Sequence, residues 1–143
     1  MGAIMGAHVV AATPDGKWAP DAAVVARAKA IAAKSGATIE VTTDAEAAAK
    51  GASVLYTDVW VSMGKEEEAA YRLAQLAGYQ INASLCAAAP SALVMHCLPA
   101  YRGKEIDDAT FEAHADTIFR QAENRLHAQK AVMARLLDAR RAM

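Results

Sequence analysis

The chain is short of nearly everything that marks a specialised protein class. It has two cysteines in 143 residues, Cys86 and Cys97. That is too few for a disulfide framework, and reduced thiols are the expectation. No run of 18 apolar residues and no secretion signal occur, so no membrane span is expected. Net charge is −1, which gives no electrostatic reason to expect nucleic acid or an anionic membrane as partner. Aromatic residues are only 6%. Metal-ligand spacing is absent around either cysteine, and the glycines form no phosphate-cradling loop. Neither a metal nor a cofactor is expected. Hydrophobic residues make up 55% and charged residues 22%, which is enough for one domain with a core of normal size. Much of the apolar share is alanine, so it overstates the burial energy.

Punctuation along the chain alternates strands with helices. His8–Ala12 is a short apolar run stopped by Thr13-Pro14-Asp15-Gly16. Asp21 is placed to cap a helix running to Ser35, and Gly36 to stop it. That helix would turn Val24, Val25, Ala28, Ile31 and Ala32 to one side. Thr38–Thr42 is β-branched and strand-like. Asp44 caps a short alanine-rich helix. Strands are expected at Ser53–Asp58 and Leu93–Cys97, with helices at Lys65–Leu76, Ser84–Ala88 and after Asp107. Thr117–Phe119 reads as a last strand. Gln121–Arg141 reads as the longest helix, with Leu126, Met133, Leu136 and Leu137 lining one face. The alternation predicts an α/β fold whose parallel sheet is covered by helices on both faces.

The chemistry concentrates in three stretches. Leu93-Val-Met-His96-Cys97-Leu98-Pro99 is an apolar strand that delivers a His and a Cys to its C-terminal end. Open α/β sheets bind their ligands there. Thr57-Asp58-Val-Trp-Val-Ser62-Met63-Gly64 follows another strand. Gln121-Ala-Glu-Asn-Arg125 opens the last helix. Taken singly, each has a plain alternative. Cys97 would be an inert buried thiol, His96 a structural hydrogen-bonder, Asp58 a turn carboxylate, Met63 a packing residue and Arg125 a solvated helix arginine.

Together and in order, the three stretches resemble ornithine carbamoyltransferases over nearly the whole chain. His96-Cys97-Leu98-Pro99 is similar to that family's signature. The related aspartate enzymes carry Pro where this chain has Cys97. The resemblance implies attack of the ornithine side-chain amine on carbamoyl phosphate, giving citrulline and phosphate. Asp58 would pair with the α-ammonium. Ser62 and the Met63 backbone would hold the amino-acid end, and the Leu98 carbonyl would accept from the reacting amine. Cys97 would orient that amine or take its proton. His96 would donate to the carbonyl oxygen, and Arg125 would support the same oxygen or the phosphate. The family has a second, carbamoyl-phosphate domain whose motifs are not found here. The first central strand of a doubly wound sheet is also missing. The expectation is therefore a partial ornithine-binding domain, residues 1–143, inactive alone. L-ornithine and carbamoyl phosphate are the expected partners, in a cytoplasmic homo-oligomer. His8–Ala12 and Ser53–Asp58 would either pair directly or receive a strand from another chain. The alternatives are a putrescine carbamoyltransferase, a signature it shares, or a fragment that binds a ligand or serves only a structural role. Putrescine has no α-carboxylate for Ser62-Met63-Gly64 to hold.

Overall fold

The computed structural model describes residues 1–62 and 64–141. Met63, one of the expected binding residues, lies outside them.

Four short parallel strands alternate with helices. β1 (His8–Ala12) leads into α1 (Ala22–Ser35), then β2 (Thr38–Thr42) and α2 (Ala45–Ala49). β3 (Val54–Thr57) is followed by α3 (Ala69–Leu76), α4 (Ala83–Ala87) and β4 (Leu93–His96). The chain ends in α5 (Asp108–Ala113) and α6 (Ala115–Arg141). The helix starts follow one device. Asp21, Asp44, Asn82 and Asp107 each accept the backbone N–H three residues on, satisfying a donor the helix cannot. Gly36 ends α1 at φ 78°, a left-handed conformation in which a side chain is strained.

β1 pairs only with β2, and β3 only with β4. The register runs His8 against Thr38 and Val54 against Leu93. The direct pairing of β1 with β3 is not adopted. Their facing edges instead border a cavity of about 1040 Å³, floored by α2 and reaching Asp58 at its far end. The core sits on one side of this slot. Leu55, Ile81, Val94, Ile106, Phe111 and Ile118 form it, and Ile106 and Ile118 are fully excluded from water. Burying each such side chain contributes about 1.5–3 kcal/mol.

One expectation is corrected. Thr117–Phe119 is not a strand but part of α6, which starts at Ala115. Ile118 is drawn into the core by packing against β4's side of the molecule, and tertiary contact outweighs the β preference of a three-residue run. Leu126, Met133, Leu136 and Leu137 are 56–64% exposed. The helix continues past the body of the domain there. The parallel strands are flanked by helices, as the alternation predicts. Along β3 and β4, Leu55, Val94 and His96 are buried while Val54, Tyr56 and Leu93 are exposed.

Candidate functional site

The ends of β3 and β4 lie side by side because the register carries through them. Thr57 pairs with His96, so the next residues, Asp58 and Cys97, are neighbours. Cys97 donates from Sγ to Asp58 Oδ1 at 2.9 Å. The same oxygen accepts the Val59 N–H at 2.7 Å. Asp58 is exposed, and its second oxygen is left for a ligand. Cys97 is half-buried. Burial, then the Asp58 carboxylate, pushes its thiol above the usual range. In this state Cys97 is therefore a protonated donor. That suits an orienting group better than a proton acceptor.

His96 takes a different place from the expected one. Its ring is fully buried. Nδ1 accepts the Leu98 N–H at 2.9 Å, which puts the ring proton on Nε2. Nε2 donates to Glu105 Oε1 at 3.2 Å. Both ring nitrogens are engaged, so the expectation that His96 donates to a substrate carbonyl is corrected. The cause is Glu105, itself fully buried. Glu105 Oε1 also accepts the Tyr101 N–H at 2.6 Å, and Oε2 has no partner among the described residues. One carboxylate thus closes the loop from His96 to Ile106 on itself. Leu98 sits in that loop at φ 56°, a conformation rare for a branched side chain. Its N–H is tied to His96 and its side chain packs against the core. The Leu98-Pro99 peptide is cis.

The Asp58–Gly64 loop is braced from outside. Arg72 on α3 donates to the Trp60 carbonyl at 3.5 Å and pairs with Glu68 at 3.0 Å. Trp18 packs on Tyr71, with ring centres 6.0 Å apart, and Lys17 Nζ lies 4.3 Å from the centre of the Tyr71 ring. Gly64 has φ 82°, and its N–H is accepted by Glu66 at 3.1 Å. Backbone N–H groups, its own and that of Gly64, hold the Glu66 carboxyl below its usual range. Glu66 is thus part of the loop's own bonding, not merely a solvated helix start. Ser62 is exposed at the loop's rim.

Arg125 stands exposed on α6, one turn beyond Gln121. Asp58, Cys97 and Leu98 are therefore brought together, Ser62 lies on the neighbouring loop, and His96 supports from behind. Arg120 pairs with Asp116 at 2.9 Å within α6. Sequence reasoning missed Glu105, whose position nine residues after His96 carries no local signal. No group of three or more His, Cys, Asp or Glu among the described residues is placed to hold a metal. No helix among them is long and apolar enough to cross a membrane.

Residues 1–136 match the family described as aspartate/ornithine carbamoyltransferase, Asp/Orn binding domain. The ornithine carbamoyltransferase of Gloeobacter violaceus is 52% identical over 138 residues, covering 95% of this chain and 44% of that protein. The crystal structure of anabolic ornithine carbamoyltransferase from Campylobacter jejuni superposes with a TM-score of 0.91 at 37% identity. It covers 96% of this chain and 46% of that one. An N-acetyl-L-ornithine transcarbamylase mutant, complexed with carbamyl phosphate and N-succinyl-L-norvaline, superposes at 0.79 with 29% identity. That match covers 94% of this chain and 42% of that one. The chain spans less than half the length of the curated relatives it matches.

Proposed function

Because this chain belongs to the aspartate/ornithine carbamoyltransferase family, as its Asp/Orn-binding domain, we propose that it carries the ornithine half of a carbamoyl-transfer site. The observation that carries this reading is the Cys97–Asp58 contact at 2.9 Å, at the adjoining ends of two parallel strands. A carboxylate with one free oxygen suits an ammonium group. Beside it, the Cys97 thiol orients the amine, and the Leu98 carbonyl accepts from it; the amine must shed its proton before it attacks. Ser62 and the backbone around it would hold the α-carboxylate. Arg125 would reach toward the oxygen that gains charge. His96 acts indirectly here, by fixing Leu98.

Carbamoyl phosphate would be held by groups outside this chain, in a homo-oligomeric enzyme. Bringing two bound reactants together accounts for roughly 7–11 kcal/mol of barrier in favourable cases. The isolated chain would accordingly bind without turning over. An N-acylated ornithine has no α-ammonium for Asp58, and putrescine has no α-carboxylate for the Ser62 loop. Calorimetry on the purified chain therefore tests the proposal with four ligands. The expected order is ornithine and norvaline above both N-acetylornithine and putrescine. Equal or tighter binding of putrescine would overturn the ornithine assignment.

A further inference from the structure

The loop that joins β3 to α3 carries both ends of the proposed amino-acid site, and the two ends are held differently. Asp58 is fixed at the strand end, by the Cys97 thiol and by its own bond to the Val59 N–H. Ser62 lies further along the loop, where its carbonyl accepts the Lys65 N–H at 3.1 Å. Between them, among the described residues, one hydrogen bond arrives from another element. Arg72 Nη1 donates to the Trp60 carbonyl at 3.5 Å. A bond of that length is weak, so it holds only while the guanidinium cannot turn away. The other contacts of Arg72 prevent turning. Nε and Nη2 both meet Glu68 Oε2 at 3.0 Å, one helical turn back. The guanidinium carbon lies 5.5 Å from the centre of the Trp18 ring, within cation–π range. Trp18 is itself held, by Tyr71 and by Lys17 Nζ at 5.2 Å. It belongs to the turn Gly16–Trp18 after β1, across the slot from the loop. Trp18, Trp60, Arg72 and Asp58 all border the same cavity.

We propose that Arg72 is a positioning residue that sets amino-acid specificity: clamped by Glu68 and faced by Trp18, it holds the Trp60 carbonyl and so fixes Ser62 at the spacing from Asp58 that an α-amino acid needs. The Asp58 end reads an amine, and the Ser62 end reads a carboxylate. Loosening Arg72 therefore releases the second and leaves the first. Lysine keeps the charge but not the planar fork that meets Glu68 and Trp60 together while lying against an indole. The β1 half of the molecule thus enters the site through Trp18, although it supplies neither Asp58 nor Cys97. The specificity rests on the proposed ornithine site; the tether itself does not.

The tether is read without any ligand. The chain has two tryptophans, so replacing Trp18 leaves Trp60 as the only indole. Trp18→Phe keeps an aromatic face for Arg72, and Trp18→Leu removes it. In the Trp18→Phe chain, adding Arg72→Lys should lower the fluorescence anisotropy of Trp60, as the loop gains local motion. In the Trp18→Leu chain the anisotropy should already be low, and adding Arg72→Lys should change it little, because coupled contacts are not additive. Circular dichroism reports whether each variant is folded. Calorimetry supplies the second reading. Arg72→Lys alone should weaken ornithine and norvaline about fivefold, the scale of one net hydrogen bond, and leave putrescine unchanged. No anisotropy loss from Arg72→Lys in the folded Trp18→Phe chain overturns the tether, as do additive losses from the two positions. Equal weakening of ornithine and putrescine overturns its role in specificity. A chain that binds none of these ligands overturns the ornithine reading and the specificity with it, while the anisotropy still decides the tether.

Discussion

Replacing Glu105 separates the loop's architecture from its charge. In Glu105→Ala, the His96 Nε2–H and Tyr101 N–H lose their shared acceptor. No water can follow easily into a site where both His96 and Glu105 are fully buried. A buried donor left unpaired costs about 1–3 kcal/mol. The buried His96 donor, a lesser share from the part-buried Tyr101 N–H, and the void left by the side chain put the loss at about 3–5 kcal/mol. A domain of this size has about 5–15 kcal/mol to lose. Glu105→Gln keeps one acceptor oxygen for both donors. Its new amide group faces the position where Oε2 has no partner, so the added cost is one unpaired group, about 1–2 kcal/mol. Urea titration followed by circular dichroism measures both variants, provided the slope stays constant. The alanine variant should lose at least twice as much as the glutamine variant. Equal losses would mean that charge rather than acceptor geometry holds the loop. A loss under about 0.5 kcal/mol for alanine would refute the account of Glu105 as the loop's closure.

Two further outcomes follow from burial. Ile118→Ala should destabilise by about 2–5 kcal/mol in the same titration, because the fully enclosed side chain leaves a cavity; a cost below 1 kcal/mol would place Ile118 outside the core. Stability should also fall in alkali. Burial first, with nearby carboxylates second, raises the thiols of Cys86 and Cys97. A group raised on folding contributes stability that is fully present below its unfolded value and lost as pH rises through the folded one. The urea midpoint should therefore drop above about pH 8.5, and the drop should shrink in Cys86→Ala; a flat midpoint would contradict the raised thiols.

Local signals carried most of the element boundaries. Asp21, Asp44 and Asp107 cap helices because each side chain reaches a backbone N–H only three residues away. The two five-residue strands ended where Pro, Gly or a cap interrupted them. The site's neighbours were legible wherever family motifs marked them, as with Asp58 and Cys97. What sequence could not carry was decided by contacts distant along the chain. Thr117–Phe119 has strand-like residues, but Ile118 is committed to a helix by the core it enters. His96 carries the signature of a reacting group, yet Glu105 claims its outer nitrogen. The stripe of Leu126, Met133, Leu136 and Leu137 has helical spacing, and spacing alone says nothing of what covers it.

The open slot divides the molecule's cooperativity as well as its sheet. On one side, β1, α1 and β2 bury little beyond Ala3 and Ala32. On the other, β3, β4, α5 and α6 share the Ile81–Val94–Ile106–Ile118 core. With no ladder between β1 and β3, α2 is the main link between them. Regions with few buried apolar contacts open first and expose their amides to exchange at lower free energy. The β1–β2 half is thus the weaker unit, free to unfold and refold beneath the global transition. Asp58, Cys97, Leu98 and Glu105 all belong to the stronger unit, so the Asp58–Cys97 and His96–Glu105 contacts outlast the opening of the half that lies across the slot.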